Sequence, residues 1–148
     1  MATSLNTRLK NPIKKGSIRK RDKWGKGHYG AARGKRLHNG IDIVAPVGAD
    51  VFSPINAKVV RLSYPYAKDL SYTGLLLDGI GIHKGYSIKI FYIKPLPNMK
   101  GEILTIGEKI GSVQDLTIKY PGITNHIHIE VKFNGIKKNP KLFINKIY

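Results

Sequence analysis

The sequence predicts a mainly β fold, with antiparallel strands arranged as a sheet sandwich or open barrel. Short apolar runs rich in β-branched and aromatic residues recur along the chain from about Gly40 onward, and glycine and proline turn residues separate them. No stretch sustains the 3.6-residue hydrophobic period of an amphipathic helix. The length of 148 residues suits one domain.

The first half of the predicted domain contains three short strands. Residues 41–44 (IDIV) run into a proline turn, residues 50–52 (DVF) end before Pro54, and residues 58–62 (KVVRL) follow. Residues 64–79 contain proline and glycine breakers, so we interpret them as a long surface loop.

The second half adds longer strands. Residues 86–93 (YSIKIFYI) form a strand that Pro95 and Pro97 stop. Residues 126–131 (HIHIEV) alternate polar and apolar side chains with a period of two, as in a strand. Asn134-Gly135 then predicts a tight hairpin turn.

The net charge of +17 is concentrated at the two ends of the chain. Residues 1–40 carry +11 and residues 132–148 carry +5, whereas residues 41–131 carry only +1. We therefore predict a basic, extended and flexible N-terminal arm over residues 1–23, followed by a β domain over residues 24–148. Such ends favour a polyanionic partner: nucleic acid, an anionic membrane, a cell-wall polymer or an acidic protein. The alternative is that they form a solvated arm with no partner.

Composition excludes several classes of site. The chain has no cysteine, which excludes disulfides, thiolate zinc clusters, iron–sulfur centres and cysteine nucleophiles. No apolar run approaches the roughly 20 residues that span a bilayer. The first 20 residues lack the apolar core of a secretory signal peptide, so we expect another route of delivery if the protein acts outside a cytoplasm.

Two short histidine motifs carry the candidate chemistry. His38 and Asp42 are four residues apart across a glycine turn, and His126 and His128 point to one face of the last long strand. Two histidines on one face need water, a hydrogen-bond partner or a metal. Two imidazoles and one carboxylate with an open fourth position form a catalytic zinc site. Spacing alone leaves open which of the two strand histidines is the third ligand, and whether they are instead a structural or surface pair.

Four segments together resemble the lysostaphin/LytM-type zinc metallopeptidases over about residues 28–145. The segments are HNGID (38–42) followed by DVFSPINAKV (50–59), then GEILTIGEKIGS (101–112), NHIHIEV (125–131) and the pair Asn139-Pro140. This resemblance implies a lysostaphin-like β fold with a groove. It also implies that His38, Asp42 and His128 ligate Zn²⁺ and that His126 assists proton transfer and polarises the scissile carbonyl.

One position departs from the family pattern. Tyr92 stands where most family peptidases have a second histidine that does not bind the metal. A phenol donates a hydrogen bond to an oxyanion, but with an ordinary pKa of about 10 it does not act as a base near neutral pH. The departure therefore points to lost or altered hydrolysis.

Further residues are candidates for supporting roles. We predict that Arg33 and Arg36 hold a substrate carboxylate, unless they only pair with a local acid. His28 is a candidate groove residue, with a packing or loop role as the alternative, and Glu130 is a candidate for orienting the metal site. We expect His83 to be solvated in a hairpin turn.

Three functions compete on this evidence. The first is a zinc endopeptidase that cuts peptide cross-links of bacterial peptidoglycan, weakened where Tyr92 replaces histidine, and delivered by a phage particle, an injection apparatus or cell lysis as an endolysin-like protein. The second is a non-catalytic, zinc-containing binding or structural module. The third is a polyanion or nucleic-acid binder acting through residues 1–36, which lack the aromatic interleaving of single-strand binders and any helix-turn-helix pattern.

Overall fold

A computed structural model describes residues 8–148 of the chain, and it confirms the mainly β prediction. Two 3₁₀ turns, Gly81–His83 and Pro140–Leu142, accompany the strands, and none of residues 8–148 is in an α-helix. None of the helical segments in this range is long and apolar enough to cross a membrane.

The strands are β1 (Leu9–Lys10), β2 (Ala32–Arg33), β3 (Arg36–Leu37), β4 (Ile41–Val44), β5 (Asp50–Phe52), β6 (Ala57–Ser63), β7 (Gly74–Gly79), β8 (Tyr86–Phe91), β9 (Ile93–Pro95), β10 (Ile103–Leu104), β11 (Lys109–Val113), β12 (His126–Phe133), β13 (Ile136–Lys138) and β14 (Ile144–Asn145).

Two antiparallel sheets form the body of the molecule. The main sheet has the order β10-β6-β7-β8-β12-β13, with β4 also paired to β12, and the second sheet has the order β5-β11-β9. Both sheets contribute to one hydrophobic core, in which Ile43, Ile88 and Ile129 of the main sheet and Val51 and Ile110 of the second sheet are buried. The strands do not close into a barrel.

The register between β4 and β12 positions the two histidine motifs. His128 lies directly opposite Asp42, and Ile129 lies opposite Ile41. On its other edge β12 pairs with β8, which places Phe91 beside His128. The motifs are therefore adjacent because of strand pairing, although about 85 residues separate them in sequence.

The predicted loop over residues 64–79 is too long, because its last six residues form β7. Leu75 and Leu77 are fully buried and alternate with more exposed neighbours, as in a strand. The flanking glycine Gly74 is not a turn residue here, since a Cβ atom at this position would collide with the carbonyl oxygen of Ile90 on β8.

The predicted strand over residues 86–93 is divided at Tyr92. Strand β8 ends at Phe91 in the main sheet, and β9 begins at Ile93 in the second sheet. Between them Tyr92 has φ 70°, a left-handed conformation that is uncommon outside glycine. Its backbone is held on both sides, since its N–H donates to the carbonyl of Thr73 and its carbonyl accepts from the N–H of Gln114.

The basic N-terminal segment is part of the folded unit from Arg8 onward, which corrects the expectation of a flexible arm over that range. Strand β1 pairs in parallel with β14, and Leu9 and Ile13 are buried in the hydrophobic core. Ile18 bridges Ile43 of β4. Apolar residues spaced among the cations supply this packing. The domain boundary after residue 23 stays a prediction. Residues 1–7 of the predicted arm lie outside the described residues.

Candidate metal centre

Three side chains converge at the end of the β4–β12 pair. His38 precedes β4, Asp42 lies on β4 and His128 lies on β12, and all three are buried. The Nε2 atom of His38 is 3.1 Å from Oδ1 of Asp42, and Nδ1 of His128 is 3.0 Å from the same oxygen. The two nitrogens are 3.0 Å apart. We call these three atoms the metal triangle.

The metal triangle fits a tetrahedral zinc ion. Zinc with bonds of about 2.0–2.1 Å has ligand atoms roughly 3.3 Å apart, close to the three separations in the triangle. The donor set of two imidazole nitrogens and one carboxylate oxygen is also one that zinc prefers, and it leaves the fourth position free. These residues could therefore hold the metal that the sequence motifs predict.

Outer hydrogen bonds fix which nitrogen of each imidazole faces the triangle. Nδ1 of His38 donates to the carbonyl oxygen of His28 at 3.0 Å. Nε2 of His128 donates to Oε2 of Glu130 at 2.9 Å. The opposite nitrogen of each ring then carries a lone pair, as a metal ligand must. Glu130 thus occupies the orienting position predicted for it.

Charge within the triangle favours an ionised carboxylate. Burial raises the pKa of Asp42, but hydrogen bonds with His128 and His38 outweigh burial, so this pKa lies well below the usual range. Burial lowers the pKa of His128, but Asp42 and Glu130 raise it above its ordinary value. Asp42 is therefore charged at neutral pH.

His126 lies beside the triangle and outside it. Its Nδ1 donates to the carbonyl oxygen of Thr124 at 2.7 Å, which leaves a lone pair on Nε2. That Nε2 is 3.5 Å from Oδ2 of Asp42, the oxygen that the triangle does not use. Burial lowers the pKa of His126, although Asp42 opposes the shift, so the ring is neutral near pH 7. A neutral imidazole at this place is able to accept a proton.

Tyr92 faces His126 edge-on, with ring centroids 5.7 Å apart. Its hydroxyl is 3.0 Å from that of Tyr66, which is 2.6 Å from that of Tyr120. Burial raises the pKa of Tyr92 to about 12, so the phenol keeps its proton at neutral pH. The side chain is therefore a hydrogen-bond donor beside the candidate site.

A groove of about 320 Å³ opens over the triangle. The hairpin of β2 and β3 places Arg33 and Arg36 opposite each other, and both line the groove. Arg33 donates to the carbonyl of Lys26 at 2.6 Å and lies 3.5 Å from Asp42, whereas Arg36 is exposed. Aromatic side chains line the rest of the groove: Trp24, Tyr66, Phe91, Tyr92 and Tyr120.

The structure does not bring the side chain of His28 to this groove. That side chain is exposed, and the residue reaches the site only through its carbonyl oxygen on His38. The substrate-binding roles of His28, Arg33 and Arg36 stay predictions.

The expectation that His83 is solvated is wrong. The 3₁₀ turn that contains it folds inward, and the imidazole is fully buried. Its Nδ1 accepts the backbone N–H of Asn56 at 3.0 Å, and its ring packs against Tyr86. His83 is thus a core histidine and no member of the metal triangle.

Sequence reasoning missed Arg19, which contacts Asp42 directly. Nε and Nη2 of Arg19 are 3.1 and 3.0 Å from Oδ2 of Asp42, and the arginine is almost fully buried. In the sequence, Arg19 is one of twelve lysine and arginine residues in residues 1–40. The sequence gives no indication of which of them folds inward.

Comparison with known proteins places the chain in a family, although no family model matches it. Leukocyte cell-derived chemotaxin-2 of Mus musculus is 40% identical over 114 residues, which cover 76% of this chain and 72% of the relative. The chain belongs to the lysostaphin/LytM-type family, together with chemotaxin-2.

Several solved structures share the fold at low sequence identity. A zinc-containing peptidase from Vibrio cholerae has a TM-score of 0.57 at 22% identity over 88% of this chain, which spans only 40% of the Vibrio chain. The catalytic domain of the antimicrobial peptidase lysostaphin from Staphylococcus simulans has a TM-score of 0.56 at 17% identity, covering 80% of this chain and 87% of that one. The SpoIIQ–SpoIIIAH pore-forming complex contains a chain with a TM-score of 0.65 at 16% identity, covering 95% and 93%. These likenesses show the fold.

Proposed function

We propose that the protein is a zinc-dependent endopeptidase that cleaves peptide cross-links of bacterial peptidoglycan. The observation that carries the proposal is the buried metal triangle of His38, Asp42 and His128 at the floor of a groove, with the neutral His126 beside it. The likeness to a zinc-containing peptidase and to lysostaphin supports it.

The residues divide the chemistry among them. His38, Asp42 and His128 would hold zinc, which would supply a Lewis acid for the carbonyl and make a water more acidic. The free Nε2 of His126 accepts the proton of the attacking water and returns it to the leaving amine. The hydroxyl of Tyr92 donates a hydrogen bond to the oxyanion that forms on the scissile carbonyl, and it keeps its proton.

Tyr92 sets the level of activity in this proposal. One missing oxyanion donor costs about 10²–10³ in rate. A neutral phenol keeps the donor that a second histidine supplies in most family peptidases, but it does not serve as a second base, since its pKa is raised to about 12. We therefore expect an active enzyme that is slower than a relative with histidine at this position.

The groove suits a peptide that carries a carboxylate. Arg36 is exposed on the groove wall and forms no ion pair within the described residues, so its guanidinium is free for a bidentate contact. Arg33 is already engaged with Lys26 and Asp42. Trp24 and Tyr120 also line the groove, pack edge to face and offer an apolar surface to the substrate.

Release of new amino groups from purified peptidoglycan tests the function. We expect zinc-loaded wild-type protein to release them, and we expect His126→Ala to lose at least about 10²-fold in rate while it keeps its zinc, because His126 is outside the triangle. Equal rates for the two proteins would contradict the assigned role of His126. No release by a wild-type protein that contains zinc would contradict the endopeptidase.

The alternative is a zinc-containing module that binds a ligand without hydrolysing it. Tyr92 at the position of a family histidine favours this reading, as do the relationship to chemotaxin-2 and the likeness to a chain of a pore-forming complex. The variant Tyr92→His separates the two. A gain of hydrolysis in this variant indicates a decayed enzyme, whereas no gain favours a structural metal.

A second observation favours contact with a polyanion. Five cations line a cavity of about 860 Å³ near the chain ends, which we call the basic groove: Arg8, Lys10, Lys14, Lys15 and Lys146. No acidic side chain lines the basic groove, and none of the five cations forms an ion pair within residues 8–148. We propose that this groove, and not a free arm, holds the protein on an anionic polymer. Association with a phage particle or injection apparatus stays a prediction.

A further inference from the structure

The guanidinium of Arg19 connects the N-terminal segment to the metal triangle. Nε and Nη2 approach Oδ2 of Asp42 at 3.1 and 3.0 Å, and the backbone N–H of Arg19 donates to the carbonyl of Asp42 at 2.8 Å. Nη1 donates to Oδ2 of Asp22 at 2.8 Å and to the carbonyl of Gly25 at 2.9 Å. Arg19 is 3% exposed, so protein groups and not water satisfy these donors.

The two carboxylate oxygens of Asp42 therefore have different contacts. Oδ1 faces the lone-pair nitrogens of His38 and His128. Oδ2 accepts from Arg19 and lies 3.5 Å from Nη2 of Arg33. A carboxylate that is free on both oxygens is able to chelate a metal through both, which would add a ligand and occupy space that a catalytic site keeps open.

We propose that Arg19 is a positioning residue that confines Asp42 to metal ligation through Oδ1 alone and so preserves the open coordination position. The inference rests on the metal site of the proposed function. It assigns to the N-terminal segment a part in the chemistry that the motifs of the family do not include.

Asp22 anchors Arg19 and extends the network to His126. Its Oδ1 accepts the backbone N–H of Trp24 at 2.8 Å, and its Oδ2 accepts that of Thr124 at 3.0 Å. Thr124 in turn accepts Nδ1 of His126 through its carbonyl. One hydrogen-bonded chain therefore runs from the ligand Asp42 through Arg19 and Asp22 to the residue that orients the general base.

Arg19 could act by positioning Asp42 or only through its positive charge, and these two roles predict opposite changes in zinc affinity when Arg19 is replaced. A cation beside the triangle repels a divalent metal, so a purely electrostatic Arg19 weakens zinc binding and its removal would tighten it. A group that orients a ligand strengthens binding, and its loss typically costs about 10–100-fold in metal affinity. The sign of the change therefore decides between the two roles.

The test compares Arg19→Met and Arg19→Lys with the wild-type protein. Arg21→Met is the matched control, since Arg21 is exposed in the same segment. Zinc affinity is measured by competition with a chromophoric chelator, and the coordination number is followed from the d–d absorption of bound cobalt(II), which is strong for four ligands and weak for five. We expect both Arg19 variants to bind zinc about 10–100-fold more weakly and to lose cobalt absorption, with Arg21→Met unchanged.

The lysine variant keeps the test valid if the methionine variant does not fold, because lysine retains the charge but donates from a single atom. Affinity equal to or tighter than wild type in Arg19→Met, or wild-type affinity and spectrum in Arg19→Lys, would overturn the inference. A wild-type protein that takes up neither metal would overturn the metal site and this inference with it. Absence of peptidoglycan hydrolysis with the expected metal affinities would overturn the proposed function alone.

Discussion

At the residue scale, each imidazole of the site is set by a hydrogen-bond partner that lies outside the metal triangle. The carbonyls of His28 and Thr124 and the carboxylate of Glu130 determine which nitrogen of His38, His126 and His128 is free. These partners leave Nε2 free on His38 and His126 and Nδ1 free on His128. Position then distinguishes the three rings, because the free nitrogens of His38 and His128 lie near Oδ1 of Asp42 and that of His126 lies near Oδ2.

Replacement of Tyr92 by phenylalanine tests its role as a donor. We expect Tyr92→Phe to lower kcat for peptidoglycan hydrolysis by about 10²–10³, because the oxyanion loses one donor. Tyr64→Phe is the control, since Tyr64 is exposed and does not line the groove over the triangle. The rates of amine release provide the measurement. An unchanged rate in Tyr92→Phe would show that the phenol makes no contact with the transition state.

The expected pH dependence of zinc affinity follows from the opposite pKa shifts of two residues of the triangle, His128 and Asp42. The pKa of His128 is raised above its ordinary value, so below this pKa a proton must leave Nδ1 before the metal binds. The pKa of Asp42 is lowered, so its proton does not compete near neutrality. We expect affinity to fall by about tenfold for each pH unit below the pKa of His128. Chelator competition between pH 5.5 and 8 measures this, and an affinity independent of pH over that interval would contradict it.

The residues of the triangle could be predicted from sequence because the motifs single out His38, Asp42 and the two strand histidines, and the family resemblance, not the spacing, selects His128. Arg19 could not, since its partner Asp42 is 23 residues away and the pairing exists only in the folded chain. His83 resembled a turn residue beside Gly85, and only the packing of the 3₁₀ turn shows that it is buried.

At the element scale, the pairing of β4 with β12 creates the site. A shift of one residue in this register would turn His128 to the opposite face and separate it from Asp42. The period of two in residues 126–131 predicted the strand, but the sequence does not state which strand is its neighbour. The sequence also did not predict that the strand over residues 86–93 divides into β8 and β9, because the change of sheet depends on the backbone conformation of one residue, Tyr92.

The short strand β1 offers a test of the folded N-terminal segment. Leu9 is fully buried in the core, so we expect Leu9→Ala to lower the free energy of unfolding by about 2–5 kcal/mol. Lys10→Ala is the control, because Lys10 is the exposed residue of the same strand. Thermal or denaturant unfolding measures both variants. A Leu9→Ala protein as stable as the control would mean that the segment is not packed on the domain.

At the scale of the whole molecule, the cations of the two chain ends occupy two different places. Arg19, Arg33 and Arg36 line the groove over the metal triangle, whereas Arg8, Lys10, Lys14, Lys15 and Lys146 line the basic groove. The charge pattern predicted a polyanion contact, and the structure changes its proposed form from a flexible arm to a groove.

Salt dependence tests the basic groove. If five cations each neutralise one anionic group of a polymer such as polyphosphate, affinity falls roughly 10²–10³-fold between 50 and 200 mM salt. We expect the double variant Lys14→Ala/Lys15→Ala to bind more weakly and to show a shallower salt slope, with Lys100→Ala, exposed and outside the groove, as the control. Binding curves from fluorescence anisotropy provide both quantities. Equal slopes for the double variant and the control would place the contact elsewhere.

The number of zinc ions bound per chain measures whether the metal triangle holds a metal. Metal analysis after equilibrium dialysis against zinc is predicted to give one ion per wild-type chain and close to none in His128→Ala, because this variant loses one of three ligands. One firmly bound ion retained in His128→Ala, or none in the wild-type protein, would contradict the account.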